Sequence, residues 1–237
     1  MDFNEAMKKL FKVVFEAYVK RKEEKVLVRD NPQRVVRGTN VSNSSVFENE
    51  LALLLHTQLH DDYQILIDYP IIFPGQHKRI VPDILILKHN TIQMILELKI
   101  DLGYEKKGWD KHRDERLQKL KEFQKQTGYK PFNEKNMQKE DKVLVVVPDQ
   151  VEYATIIFCC KNGTKLIEEV ITNCKNSECE DRGDYPYFIL LRDRIYHPND
   201  FTSFDDAMDY ISTMKAEYIA DWSILESYLR KRLVFRS

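Results

Sequence analysis

Two apolar runs separated by a polar tetrapeptide, in the stretch RIVPDILILKHNTIQMILELKID (residues 79–101), constrain this chain more than any other segment. Ile80 to Leu87 is one run and Ile92 to Ile100 the other, with Lys88-His89-Asn90-Thr91 between them. Apolar strands bounded by turn-forming residues read as a β-hairpin. Side chains alternate along a strand, so Glu97 and Lys99 share one face while Leu96, Leu98 and Ile100 turn the other way, into a core. Asp83, after Pro82, sits near the same end of the partner strand. Two carboxylates and one ammonium therefore fall in one small patch. Hard oxygen ligands of this kind suit Mg²⁺ or Mn²⁺. A lysine beside a metal-bound water can orient or deprotonate it and screen a phosphate.

Thirteen residues separate Asp83 from Glu97-Leu98-Lys99. That arrangement resembles the PD-(D/E)xK nuclease superfamily, the class of restriction endonucleases and many repair nucleases, over roughly residues 44–147. The resemblance implies an α/β fold with a mixed central sheet flanked by helices, a restriction-endonuclease-like core. It implies Mg-dependent phosphodiester hydrolysis, with Mn able to substitute. Asp83 and Glu97 would hold the metal, the carbonyl of Leu98 would be a third ligand, and Lys99 would position the attacking water. In that superfamily a helix before the hairpin often carries a further acid; Glu50 is the expected residue and Glu48 its rival. The expected substrate is double-stranded DNA cut by an endonuclease, in restriction, phage defence or repair. An RNA-directed nuclease and a non-catalytic nucleic-acid-binding or assembly module are the alternatives. The helix after the hairpin lacks the Gln-x3-Tyr signature of the RecB-type branch.

A second Pro-Asp acts as an internal control. Pro148-Asp149 follows an apolar strand, Val143 to Val147, but no Glu-x-Lys comes after it. It reads as a strand exit.

The rest of the chain organises around this hairpin. Residues 2–24 predict a helix with Phe3, Met7, Leu10, Phe11, Val14, Phe15 and Tyr18 at i, i+3, i+4 spacing, facing a core or forming a homodimer contact. A strand-like KVLVRD follows, then a loop in which Arg34 and Arg37 could touch phosphate. Ser44 or Ser45 caps an expected helix over 45–59, and YQILIDYPIIF supplies a first strand. Residues 111–126 predict a charged helix with a thin stripe of Leu117, Leu120 and Phe123. Lys106, Lys107 and Arg113, interleaved with Tyr104 and Trp109, are the expected contacts to a nucleic-acid backbone. The interspersed Asp110, Asp114, Glu115 and Glu122 also suit a merely solvated helix. Strands are expected at 143–147, 154–160 and 187–196, a short helix at 166–172, and a helix or helix pair from Phe204 to Leu229. This gives an N-terminal helix and connector (1–43), a nuclease core (44–165) and a C-terminal extension (166–237), in one domain.

Bulk properties add limits. The 237 residues are 43% hydrophobic with a net charge of −1, so local rather than total charge must hold any polyanion. No apolar run approaches the roughly 20 residues that span a bilayer, and the amphipathic start lacks a signal-peptide core, so a cytoplasmic location is expected. Cys159, Cys160, Cys174 and Cys179 read as reduced thiols, because adjacent strand cysteines point to opposite faces and the loop spacing is loose for zinc.

Overall fold

The computed structural model describes residues 2–30, 43–73, 79–101, 109–123, 127–129, 144–162 and 186–236. Helix α1 spans Phe3–Asp30 and α2 spans Ser44–Gln58. Helix α1 absorbs residues 25–30, expected as strand-like, because the preceding RKEEK is made of good helix formers and nothing in it stops propagation. Next come β1 (Tyr63–Ile67), β2 (Ile71–Ile72), β3 (Arg79–Ile80), β4 (Ile84–Lys88), β5 (Thr91–Asp101) and α3 (Trp109–Glu122). After them are β6 (Thr127–Tyr129), β7 (Leu144–Val146), β8 (Glu152–Cys159), β9 (Tyr187–Leu191), α4 (Phe204–Thr213) and α5 (Asp221–Arg232).

The fold is α/β. Among the described residues, nine strands form one mixed sheet. β1, β4 and β5 are an antiparallel meander, and β8 and β9 continue from β5 in parallel. Short β7 pairs with the start of β5, Thr91 against Val146, before the chain bends at Asp149 and re-enters as β8. Pro148-Asp149 is thus a strand exit, as its sequence suggested. The run expected to extend to Tyr196 stops as a strand at Leu191, because the chain then turns across the end of the sheet.

The β4–β5 hairpin closes through His89 and Asn90, both at positive φ (48° and 63°). Two such residues make the primed turn whose twist matches that of the strands. One extra residue, Gln93, is bulged out of β5 where the register shifts between Ile86 and Leu87. Below the bulge Leu87 pairs with Ile92; above it Ile84 pairs with Leu96. Continued without the bulge, the hairpin register would set Asp83 opposite Leu96. With it, the next position beyond Ile84 sets Asp83 opposite Glu97.

The sheet is covered on both faces. Ile84, Ile86, Met94, Leu96 and Leu98 join one core with α1, α2, α4 and α5, where Phe11 stacks on Phe158 at 4.5 Å. Leu85, Leu87, Ile92 and Ile95 join a second core with Leu117, Leu120 and Phe123 of α3. The stripe of α1 is therefore buried in its own chain. Asp221 and Trp222 at the start of α5 cover β9: Ile189 N–H donates to Asp221 Oδ2 at 2.7 Å, and Trp222 Nε1 donates to the Leu190 carbonyl at 2.8 Å. Among the described residues no helix is long and apolar enough to cross a membrane.

Candidate active site

Asp83 occupies the bend immediately before β4, where the ladder to β5 ends at Ile84–Leu96. Its carboxylate accepts the Leu98 backbone N–H at 2.7 Å. The side chain thus replaces the main-chain carbonyl that a continuing strand would offer. In a strand the N–H and C=O of one residue point to the same side, so the Leu98 carbonyl also faces the β4 side. The position opposite it is Pro82, which has no N–H to give. Glu97 is buried, and Lys99 Nζ donates to its Oε1 at 3.2 Å. The structure therefore brings together Asp83, Glu97, Lys99 and the Leu98 main chain. They lie on the face of β5 that carries Ile95, beyond the edge of the second core.

Two further acids join them. Asp68, just after β1, donates its backbone N–H to the Asp83 carbonyl at 3.0 Å and sits at φ 49°. Aspartate is among the few non-glycine residues that tolerate this left-handed conformation, and such positions gather at functional sites. Glu48, buried on α2, hydrogen-bonds Asp68 and Ser44. Burial first, then the charges of Asp68 and Asp83, raise the Glu48 carboxyl to about 7. Glu50, the helix acid expected from the sequence, lies elsewhere. It borders a shallow crevice against α1 with Ala6, Lys9, Leu10, Leu53, Leu54 and Thr57. Two residues along a helix turn a side chain by about 200°, which separates Glu48 from Glu50. Helix phase carried the signal: Glu48 falls on the stripe of Leu51, Ala52 and Leu55, all buried. Asp68 had only a weak one, an acid at a strand exit.

Glu48 sits beside two like charges, Asp68 and Asp83, and a proton retained near neutrality is one way to relieve their repulsion. A divalent cation is another, and an all-oxygen donor set with partly buried carboxylates fits Mg²⁺ or Mn²⁺. No protein-family model, curated protein or solved structure matches this chain. What the site can do therefore rests on its own geometry.

Lys106 and Lys107, like Arg34, Arg37, Cys174, Cys179 and the helix expected at 166–172, lie outside the described residues, as does the Arg113 side chain on α3. A second polar cluster, Asp101, Cys159 and His197, is buried with its ligand-type atoms within 4.8 Å of one another. Its members are hydrogen-bonded as follows. His197 Nδ1 accepts the Asn199 N–H at 2.9 Å, which leaves the ring proton on Nε2, 3.8 Å from Asp101 Oδ2. Burial lowers the His197 pKa against the opposing charges of Asp101 and Asp200. Cys159 donates to the Ile100 carbonyl at 3.1 Å, and burial pushes its thiol well up. In this arrangement the His197 Nδ1 lone pair and the Cys159 S–H are both engaged in hydrogen bonds. The cluster clamps the end of β5 to the turn at Pro198–Asp200.

Proposed function

We propose that the chain is a divalent-metal-dependent nuclease of the PD-(D/E)xK type, an endonuclease acting on double-stranded DNA. The observation that carries this reading is the Asp83 carboxylate on the Leu98 amide, between Glu97 and Lys99. The order α2, β1, β4, β5, α3, β8 supports it, since a helix, a three-stranded meander, a helix and a parallel strand are what a restriction-endonuclease-like core requires.

A bound Mg²⁺ would lower the pKa of a water and offset charge growing on the phosphorus centre. Asp83 and Glu97 would hold it, with the Leu98 carbonyl as a main-chain ligand. Asp68 holds the Asp83 segment in place through its backbone N–H, and Glu48 bonds Asp68 from α2. Lys99, kept close to Glu97 by their ion pair, orients the attacking water and screens the phosphate. Hydrolysis is direct, without a covalent enzyme intermediate.

The test is incubation of purified protein with plasmid, linear duplex, single-stranded DNA and RNA, in Mg²⁺, Mn²⁺ or EDTA. Cleavage of duplex that stops in EDTA is expected. Undiminished cleavage in EDTA overturns the mechanism, and duplex binding without cleavage in any metal favours a non-catalytic module.

A further inference from the structure

Register partners on parallel strands point to the same face of a sheet. β5 and β8 follow this: Leu96 with Ala154 and Leu98 with Ile156 enter the first core, and Ile95 with Tyr153 enters the second. Glu97 is paired with Thr155. Thr155 therefore stands on the face of the candidate site, directly beside Glu97 across a strand spacing of about 4.8 Å. The next pair on that face is Lys99 with Ile157.

Thr155 differs in kind from the rest of its strand. From Ala154 to Phe158 the residues are Ala, Thr, Ile, Ile and Phe, and Thr155 alone is polar. It is 2% exposed, and Glu97 is 8% exposed. A β-branched residue suits a buried strand, but valine would serve the fold with the same shape and no hydroxyl. A buried hydroxyl left without a hydrogen bond costs about 1–3 kcal/mol. The neighbours of Thr155 on this face are Tyr153 and Ile157 along β8, Tyr187 on β9 and Glu97 on β5. Isoleucine offers no acceptor, and each tyrosine carries its hydroxyl at the far end of a ring, well above the strand. The Glu97 carboxylate can lie back over the adjacent residue, and an ionised acceptor makes the stronger hydrogen bond. Restricted χ1 rotation holds a threonine hydroxyl in place once bonded. Lys99 grips the same carboxylate from along β5, at Oε1.

We propose that Thr155 is a positioning residue of the metal site: its hydroxyl donates to the Glu97 carboxylate and, together with Lys99, keeps that carboxylate turned toward the metal. The inference rests on the reading of Asp83 and Glu97 as metal ligands. Hydrogen-bond partners of a ligating carboxylate set metal affinity or activity by about 10–100-fold. Mn²⁺ titration of the full chain, followed by the paramagnetic resonance signal of the free ion, reads metal binding apart from cleavage. The Mg²⁺ concentration for half-maximal plasmid cleavage is measured in parallel. Thr155→Val should weaken Mn²⁺ binding and raise the Mg²⁺ requirement by about 10–100-fold, with the melting temperature unchanged or higher. Thr155→Ser, which keeps the hydroxyl, should bind metal like the wild type. If valine disturbs the fold, Thr155→Ala against Thr155→Ser makes the same comparison. A Thr155→Val that binds and uses metal like the wild type overturns the proposal. So do equal losses in the valine and serine variants, which would trace the effect to packing. Hydroxyl-dependent Mn²⁺ binding in a protein that cuts no nucleic acid supports the positioning role and removes the nuclease reading. A wild type that neither binds Mn²⁺ nor cleaves removes both.

Discussion

The Leu98 amide donates to the Asp83 carboxylate at 2.7 Å, across the point where β4 and β5 stop pairing. Fifteen residues apart in sequence, the two are joined by a side chain standing in for a strand. This bond fixes where Asp83 points. It also places both chemically equipped neighbours of Leu98, Glu97 and Lys99, beside it.

Asp83→Ala, Glu97→Ala and Lys99→Ala should each lower DNA cleavage by roughly 10²–10³-fold, the loss typical of removing one metal ligand or one preorganised charge from a reacting centre. Circular dichroism should show the fold retained. Asp149→Ala, at the exposed bend between β7 and β8, should cleave like the wild type. An Asp149 variant as damaged as Asp83→Ala would place the site at the wrong Pro-Asp.

Glu48 and Glu50 should separate cleanly. Glu48→Ala removes the acid bonded to Asp68 and should reduce cleavage at least tenfold at fixed Mg²⁺, with a higher Mg²⁺ requirement. Glu50→Ala touches only the crevice against α1 and should change cleavage less than twofold. The reverse ranking in a metal titration would sink this assignment of the helix acid.

Stability should depend on pH through Glu48. Its carboxyl is raised from 4.5 to about 7 in the folded protein. Between these values the unfolded chain has released a proton that the folded chain still binds, so stability falls as pH rises from about 4.5 to about 7, then levels. At 1.36 kcal/mol per pH unit the full loss is on the order of 3 kcal/mol. Thermal melts of Glu48→Gln should lack this slope. Mg²⁺ should raise the wild-type melting temperature more at pH 8 than at pH 5, because the metal must displace the proton. Equal slopes in the two proteins would exclude Glu48 as the source.

Asp221 anchors β9 to α5 by accepting Ile189 N–H and Arg192 Nη2 while fully buried. Asp221→Ala leaves a buried amide and a guanidinium without this acceptor and should cost about 3–5 kcal/mol in urea denaturation. A loss below 1 kcal/mol would show that the pair is not essential to closing the sheet edge.

Much of this was legible in the sequence, and the reason is periodicity. Two-residue alternation put Glu97 and Lys99 on one face and Leu96 and Leu98 in a core. The 3.6-residue rhythm found α1, α2 and α3 and the buried trio Leu117, Leu120 and Phe123. These signals are local, each set by where a side chain points from its own backbone. Helix phase also held the choice of Glu48 over Glu50, because the residue on the apolar stripe must face inward.

What only the tertiary structure decided depends on contacts between distant segments. Gln93 bulges out of β5, and that one inserted residue sets Asp83 opposite Glu97 instead of Leu96. A register shift of one reverses every facing relationship, yet no composition or spacing rule marks where it occurs. Asp68 enters the site only because its amide meets the Asp83 carbonyl, and Glu48 holds its proton only because Asp68 and Asp83 crowd a buried position. The sequence by itself determined which face Glu97 and Lys99 share and which residues of the hairpin and helices are buried. Their mutual distances and charges were decided by the sheet that folds around them, since electrostatic coupling depends on separation in space and on burial, neither of which is a local property of the chain.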